Sequence, residues 1–468
     1  MTSRTLTKRR KVLLVEPASP DSNVFSGFAG LPLLGPLYLG TILDRRGHDV
    51  TVINEDLLGR HLGFNDLDAD VLCLSTITST VERGYELATL FKRRNPGGRV
   101  LMGGPHVSFM QEEALRYADH VVTGEGENVI ADLVEHGTDD AIVHGTPVED
   151  MDTLPFINWD LLVNFFKIRI QPFMFSRGCP FACNFCTVTA MYGRRYRHMS
   201  PERVLAELDT TRLSEVFIYD DNFAAKNKRT HAIVDGLLER AGGRVRWWTA
   251  QVRADVTSDE DLLHKMQRSG CGRVYVGFES INDRTLREMH KGQSSDDVKR
   301  AIRRFHKHVI RVHGMFVFGS DADDPAVLKR TSEFVHRERL DSVQYMILTP
   351  FPGTELFGRL VGEGRLLHTM WRYYDAGHVV FKPMGFDPYQ LQVQAMSHYS
   401  DYYSIIRAMN DGLDAAATAT ARLAGQAIER SGAPSVRNAL YKLMGKNILR
   451  RWHKGNTDYM QYLRLLPT

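Results

Sequence analysis

Cys179-Pro180-Phe181-Ala182-Cys183-Asn184-Phe185-Cys186 gathers three of the chain's five cysteines into eight residues, and that crowding calls for a metal. Disulfides fit poorly, because three is an odd number and nothing in the sequence points to an oxidising compartment. Structural zinc takes four closed ligands, usually from two separated pairs. Here the fourth would have to be His198, twelve residues beyond Cys186 and set among Arg194, Arg195 and Arg197. Three thiolates suit a [4Fe-4S] cluster with one iron left open to a group that is not protein. An open iron implies chemistry.

The rest of the composition bounds that chemistry. With 468 residues, 43% of them apolar and 25% charged, the chain reads as a globular protein of two or three domains. Its 59 basic and 56 acidic residues leave a net charge of +3, which gives no argument for a nucleic-acid partner. The basic start, Arg4 to Lys11, precedes only Val12-Leu13-Leu14-Val15 before Glu16, far short of a signal-peptide core or a membrane span. A cytoplasmic, reducing location is the expectation. Cys73, inside Val71-Leu72-Cys73-Leu74, and Cys271, between glycines, read as small buried residues.

Upstream of the cysteines, Val12 to Glu16, Val50 to Asn54, Val71 to Ser75, Val100 to Gly103 and His120 to Thr123 alternate with helix-length segments such as Thr80 to Arg94. This rhythm predicts an α/β domain with a doubly wound, Rossmann-like parallel sheet over residues 1–140. Ligands of such sheets bind beyond the strands' carboxyl ends, which read Glu16-Pro17, Ser75-Thr76, Gly103-Gly104-Pro105-His106 and Gly124-Glu125-Gly126. The glycines allow a ligand close to the backbone, although each alone reads as a tight turn. Residues 141–170, with Pro147, Pro155 and several acids, read as a linker.

Over residues 171–385 the strands Phe173 to Ser176, Val216 to Tyr219, Arg246 to Ala250, Val274 to Gly277, Val312 to Phe318 and Ser342 to Leu348 alternate with helical stretches. The helices are Pro201 to Arg212, Lys228 to Ala241, Asp259 to Ser269, Ser295 to His308 and Pro325 to Arg337. They predict a partial (β/α)6 TIM-like barrel with its chemistry at the strand C-terminal ends. Just past those ends stand Asp220, Asp221 and Asn222, then Gln251, Arg253 and Asp255, then Glu279 and Ser280. Such groups can hold an amine, a carboxylate or hydroxyls, or cap the next helix. Residues 386–468 read as a helical C-terminal region, and 431–468 carry seven Lys or Arg against one acid, Asp458. With Trp452, Tyr459 and Tyr462, this tail is a candidate for peripheral contact with a membrane or an anionic substrate, or a solvated helical face on the barrel.

The cysteine run, with Phe185 before its last cysteine, resembles the CxxxCxΦC signature of the radical S-adenosylmethionine (SAM) enzymes. The resemblance implies that Cys179, Cys183 and Cys186 ligate a [4Fe-4S] cluster whose free iron chelates the amino and carboxylate groups of SAM, with Phe185 near the adenine. It further places Asp220, Asp221 and Asn222 at the SAM amino group, Glu279 at the ribose and Arg253 among the cofactor contacts. Leu33-Leu34-Gly35-Pro36-Leu37-Tyr38-Leu39, Gly103 to His106 and Gly124 to Glu127 look like the N-terminal cobalamin-binding domain of one large radical SAM subfamily. That likeness implies cobalamin contacts from Ser75, Gly103, Gly104, His106, Gly124 and Glu125. The DxHxxG motif is absent, since none of the 18 histidines has Asp two positions before it. The lower axial position of cobalt is therefore not expected to carry a histidine of that motif. Val312 to Gly319 and Thr349 to Thr354 resemble the subfamily's fifth strand and sixth loop, while Tyr192, Gly193 and Arg197 stand where they can close over the cofactor.

The activity implied is C-methylation of a small-molecule or lipid substrate. An external one-electron reductant, of flavodoxin or ferredoxin type, would drive cleavage of SAM to a 5′-deoxyadenosyl radical. That radical would abstract hydrogen from an unactivated carbon, which then takes methyl from methylcobalamin. Cyclisation, oxidation or rearrangement without methyl transfer is the alternative, and a zinc-stapled cobalamin-binding sensor is a third. RNA methylthiotransferases resemble the barrel but carry three cysteines in their N-terminal domain, where this chain has Cys73 alone.

Overall fold

Runs of apolar, largely β-branched residues build the first sheet in the computed structural model, which describes residues 8–23, 30–404, 409 and 436–467. Arg4 in the basic start and residues 405–408 and 410–435 in the C-terminal region lie outside them. Strands β1 (Lys11–Glu16), β2 (Asp49–Asn54), β3 (Val71–Ser75), β4 (Arg99–Gly103), β5 (His120–Thr123) and β6 (Ile142–His144) are parallel, in the order β2-β1-β3-β4-β5-β6. Helices cover both faces, so β3 buries Val71, Leu72, Cys73 and Leu74 in succession rather than alternating. From β1 the chain moves to one side for β2 and then to the other for β3. Their carboxyl ends diverge there and leave a crevice at the switch point.

The segment expected to be a linker is not a free one. It supplies β6 at the sheet edge, and Met151 and Trp159 are buried in the core. Val163 N donates to Val52 O at 3.0 Å and Asn158 N to Thr41 Oγ1 at 2.9 Å. A three-residue edge strand is too short to leave a periodic signal.

In the second sheet, the strand expected over Phe173 to Ser176 is split. Strand β7 (Gln171–Phe173) ends early, and Ser176–Arg177 (β8) pairs antiparallel with Arg197–His198 (β9). Buried Asp220 fixes this break, accepting from Phe175 N and from Ser176 Oγ, both at 2.6 Å. The cysteine loop therefore emerges from a two-stranded hairpin rather than straight from a barrel strand. Strands β10 (Glu215–Ile218), β11 (Trp247–Val252), β12 (Cys271–Glu279), β13 (Arg311–Phe318) and β14 (Ser342–Ile347) complete a parallel sheet ordered β14-β13-β12-β11-β10-β7. The intervening helices are amphipathic. Helix Ser295–Lys307, opened by a Ser294/Asp297 capping box, buries Val298, Ala301, Ile302 and Phe305 at helical spacing.

β7 and β14 do not pair, so the barrel is open. Helix Pro388–Tyr402 and the segment before it cover the β14 edge: Ile347 N donates to Ala376 O at 2.8 Å, and Tyr403 Oη to Val343 O at 2.8 Å. The basic tail forms helices Val436–Gly455 and Thr457–Arg464. Trp452 is fully buried against His378, and Tyr459 Oη donates to Val379 O at 2.8 Å. These two aromatic side chains face the barrel, as the reading of a helical face packed on it expects. Among the described residues, no helix is long and apolar enough to cross a membrane.

Candidate functional site

Two cavities open where the carboxyl ends of the two sheets approach each other. The smaller, about 190 Å³, is lined by Cys179, Cys183 and Cys186 together with groups from the ends of β11 and β12. Gly178, at φ +81, starts the loop; a Cβ there would strike the backbone of Arg195, so only glycine lets the hairpin close. Two other elements hold the loop. Asn184 Nδ2 donates to Glu288 O at 2.8 Å, and Leu356 N donates to Asn184 O at 3.1 Å.

Burial pushes the Cys186 thiol up to about 12 and raises that of Cys179. A bound metal must therefore supply the driving force for deprotonation.

The wall opposite the cysteines is charged. Arg253 lies 3.6 Å over the Phe181 ring and donates to Lys291 O at 2.5 Å, while Lys291 Nζ donates to Glu279 Oε1 at 2.7 Å. Glu279 sits at φ +61, where the β12–β13 register shifts, and this strained backbone turns its carboxylate back into the cavity. A Cβ on Gly277 would lie 2.5 Å from that carboxylate. Two cations and a carboxylate beside three thiols form a setting suited to a zwitterion with hydroxyls, as SAM is. Neither Glu279 nor Asp221 caps a helix, because the N-caps of the following helices are Asn282 and Lys226.

The larger cavity, about 410 Å³, lies at the first sheet's switch point. Ser75, Gly103, Gly104, Gly124 and Glu125 line it from the strand ends, and Leu34, Gly35 and Leu39 from the following helix. Gly104, at φ +104, lies against the Thr76 backbone where a Cβ has no room. A Cβ on Gly35 would meet nothing within 4 Å, so the helix offers a flat, open cradle for a large ring. The far wall comes from the second sheet and the cysteine loop, through Met174, Arg177, Met191, Tyr192 and Tyr219.

Val188, Asp221 and Gln251 line both cavities and form their common wall. The Asp221 carboxyl faces the space between them. Its enclosure by protein, and then the neighbouring Asp220, raise it to about 7.

Several expected residues lie elsewhere. His106 lines neither cavity; it is buried edge-on to Trp371, with Nε2 3.7 Å from Glu113, because the Pro105–Phe109 helix turns it into the core. Asp220 is consumed by Phe175 and Ser176, and Asn222 is buried outside both linings. His198 bonds Met199 O rather than facing the cysteines. Arg197, expected over the cofactor, is buried against Glu125. Lys291, which no sequence signal singles out, stands twelve residues past Glu279 and reaches the site because the chain turns back after helix Asp283–Glu288. Tyr275 and Met315 also line the cysteine cavity from mid-strand.

Sequence comparison matches one domain model to each of the two sheets. The Radical SAM superfamily model matches residues 173–329 and the B12 binding domain model residues 31–134. A protein of Pyrococcus horikoshii, named as an uncharacterized methyltransferase, is 31% identical over 437 residues, covering 85% of this chain and 93% of its own. The chain belongs to the cobalamin-dependent radical SAM enzymes. The cofactors of this family are a [4Fe-4S] cluster, SAM and cobalamin. The bacteriochlorophyllide d C-12(1)-methyltransferase of Chlorobaculum tepidum is 28% identical over 390 residues, covering 80% of this chain and 83% of its own. The fold is shared with the cobalamin-dependent radical SAM enzyme OxsB bound to aqua-cobalamin (TM-score 0.66, 16% identity, 99% of this chain and 82% of that one).

Proposed function

We propose that this cobalamin-dependent radical SAM enzyme is a C-methyltransferase acting on an unactivated carbon of a small molecule, supplied with electrons by a one-electron reductant in a cytoplasmic, reducing setting. The observation that carries the reading is the common wall of Val188, Asp221 and Gln251, which sets the cysteine cavity directly against the cavity at the first sheet's switch point. The names of both curated relatives, as methyltransferases, support it. We assign Cys179, Cys183 and Cys186 to the cluster, Arg253, Lys291, Glu279 and Phe185 to SAM, and Ser75, Gly103, Gly104 and Gly124 to cobalamin. When bound, the cluster and SAM supply the 5′-deoxyadenosyl radical and cobalamin carries the methyl group.

The protein's share of the work is placement. Arg253 and Lys291 offer their charges to a carboxylate, Glu279 offers acceptors to ribose hydroxyls, and the apolar Val188 and Met315 exclude water from the reacting carbon. No proton transfer at a side chain is needed to make a carbon–carbon bond from a carbon radical. Asp221 and Gln251 therefore serve recognition, holding polar groups at the junction.

Anaerobic reconstitution with iron, sulfide and hydroxocobalamin, followed by reduction with SAM present, tests the reading. Broad visible cluster absorption, retained cobalamin, 5′-deoxyadenosine and S-adenosylhomocysteine together are the expected result. Deoxyadenosine without S-adenosylhomocysteine across candidate substrates would remove methyl transfer and leave radical chemistry of another kind. A colourless, zinc-loaded protein would remove both.

A further inference from the structure

Arg177 and Arg197 stand on opposite strands, β8 and β9, of the hairpin that closes the base of the cysteine loop. Both reach to Glu125, which belongs to the loop after β5 of the other sheet. Arg177 donates to Glu125 Oε2 at 2.6 Å and to Glu127 Oε1 at 2.5 Å. Arg197 donates to both oxygens of Glu125 and to Val148 O at 2.7 Å, and Val148 N donates to Glu125 Oε2 at 3.0 Å. The four charged side chains are at most 7% exposed. With three partners the Glu125 carboxylate has little left to offer a ligand, although it lines the larger cavity as the sequence suggested.

Glu125, Glu127 and Arg177 are themselves wall of that cavity, and Cys179 follows Arg177 by two residues. Buried charges held this way escape screening by salt, and separating one from its partners is strongly unfavourable. The hairpin therefore cannot shift without moving the wall of the neighbouring cavity.

We propose that Arg177, Arg197 and Glu125 form a positioning clamp that makes cluster assembly and cobalamin retention one linked equilibrium. The inference rests on the cofactor assignments above. A filled cysteine loop fixes the hairpin, and the hairpin fixes the cavity wall. By thermodynamic reciprocity, cobalamin steadies the loop to the same degree.

The test is an anaerobic hydroxocobalamin titration of the full chain, read by cobalamin absorbance, before and after reconstitution with iron and sulfide. Wild type should hold cobalamin more tightly with its cluster than without, by about 5- to 150-fold, the usual span of coupling between two sites. In Glu125→Gln the ratio should fall close to one. Arg177→Lys keeps a charge but cannot span both carboxylates, so its ratio should be intermediate; should Glu125→Gln fail to fold, this milder variant decides. Equal affinities with and without the cluster in wild type would overturn the clamp, as would a wild-type ratio preserved in the variants. A wild type that holds no cobalamin in either state overturns the cofactor assignment instead, so the two failures are distinguishable.

Discussion

The Cys183 thiol, one of three half-buried in the loop, donates weakly to His290 O at 3.8 Å. Replacing Cys179, Cys183 or Cys186 with Ala should abolish the visible cluster absorption and reduce deoxyadenosine formation to background, while the far-ultraviolet circular dichroism stays that of wild type. Asp321 has a different, structural part. Burial opposes its charge, but Arg365 and Arg359 more than offset this and hold it at about 2. Its folded value is thus below an unfolded value of about 3.9. The stability it adds is fully present above that unfolded value and is lost as pH falls through about 2. Asp321→Asn should cost about 1–2 kcal/mol at pH 7, and the gap to wild type should close between pH 4 and 2 in urea melts followed across pH. The cysteines were legible in the sequence because their chemistry depends on local spacing. Asp220, Asn222 and His106 were not, because which way a side chain points past a strand end is settled by packing. His106 turned inward to Trp371, whose position 265 residues downstream no local pattern conveys.

The strand-to-helix turns offer a paired test at the scale of elements. Gly104→Ala places a Cβ against the Thr76 backbone at positive φ and should cost about 2–4 kcal/mol as well as cobalamin retention. Gly35→Ala lies in helix Leu34–Arg45 with open space around its Cβ. It should leave stability unchanged or raise it by up to about 1 kcal/mol yet still weaken cobalamin retention, because the new methyl enters the cradle. Chemical denaturation and a desalting assay measure the two effects separately. Long apolar runs such as Val71 to Leu74 announced their strands directly. Strand β6 and the hairpin of β8 and β9 were invisible because two or three residues cannot express a period, and the hairpin exists only where Asp220 captures Phe175 and Ser176.

For the whole molecule, the C-terminal helices pack against the barrel and bury the aromatic side chains of Trp452 and Tyr459 there. Trp452→Ala removes a fully buried ring and should destabilise the chain by about 3–5 kcal/mol in urea unfolding, whereas a membrane-facing tryptophan would leave aqueous stability nearly unchanged. Charge and composition had described this region only as basic and helical. The side on which its aromatic residues fall depends on where the barrel ends, and that could not be read from the tail's own residues.

The unclosed barrel carries one more consequence. A parallel sheet that stops at β14 presents a row of backbone donors and acceptors to any passing strand, and exposed rows of that kind template intermolecular pairing. Ala376, Tyr402 and Tyr403 occupy that row, the tyrosines bonding Leu340 O and Val343 O. Trimming the chain after the last barrel strand in search of a minimal catalyst would therefore yield a self-associating protein, with solubility lost before any cofactor was.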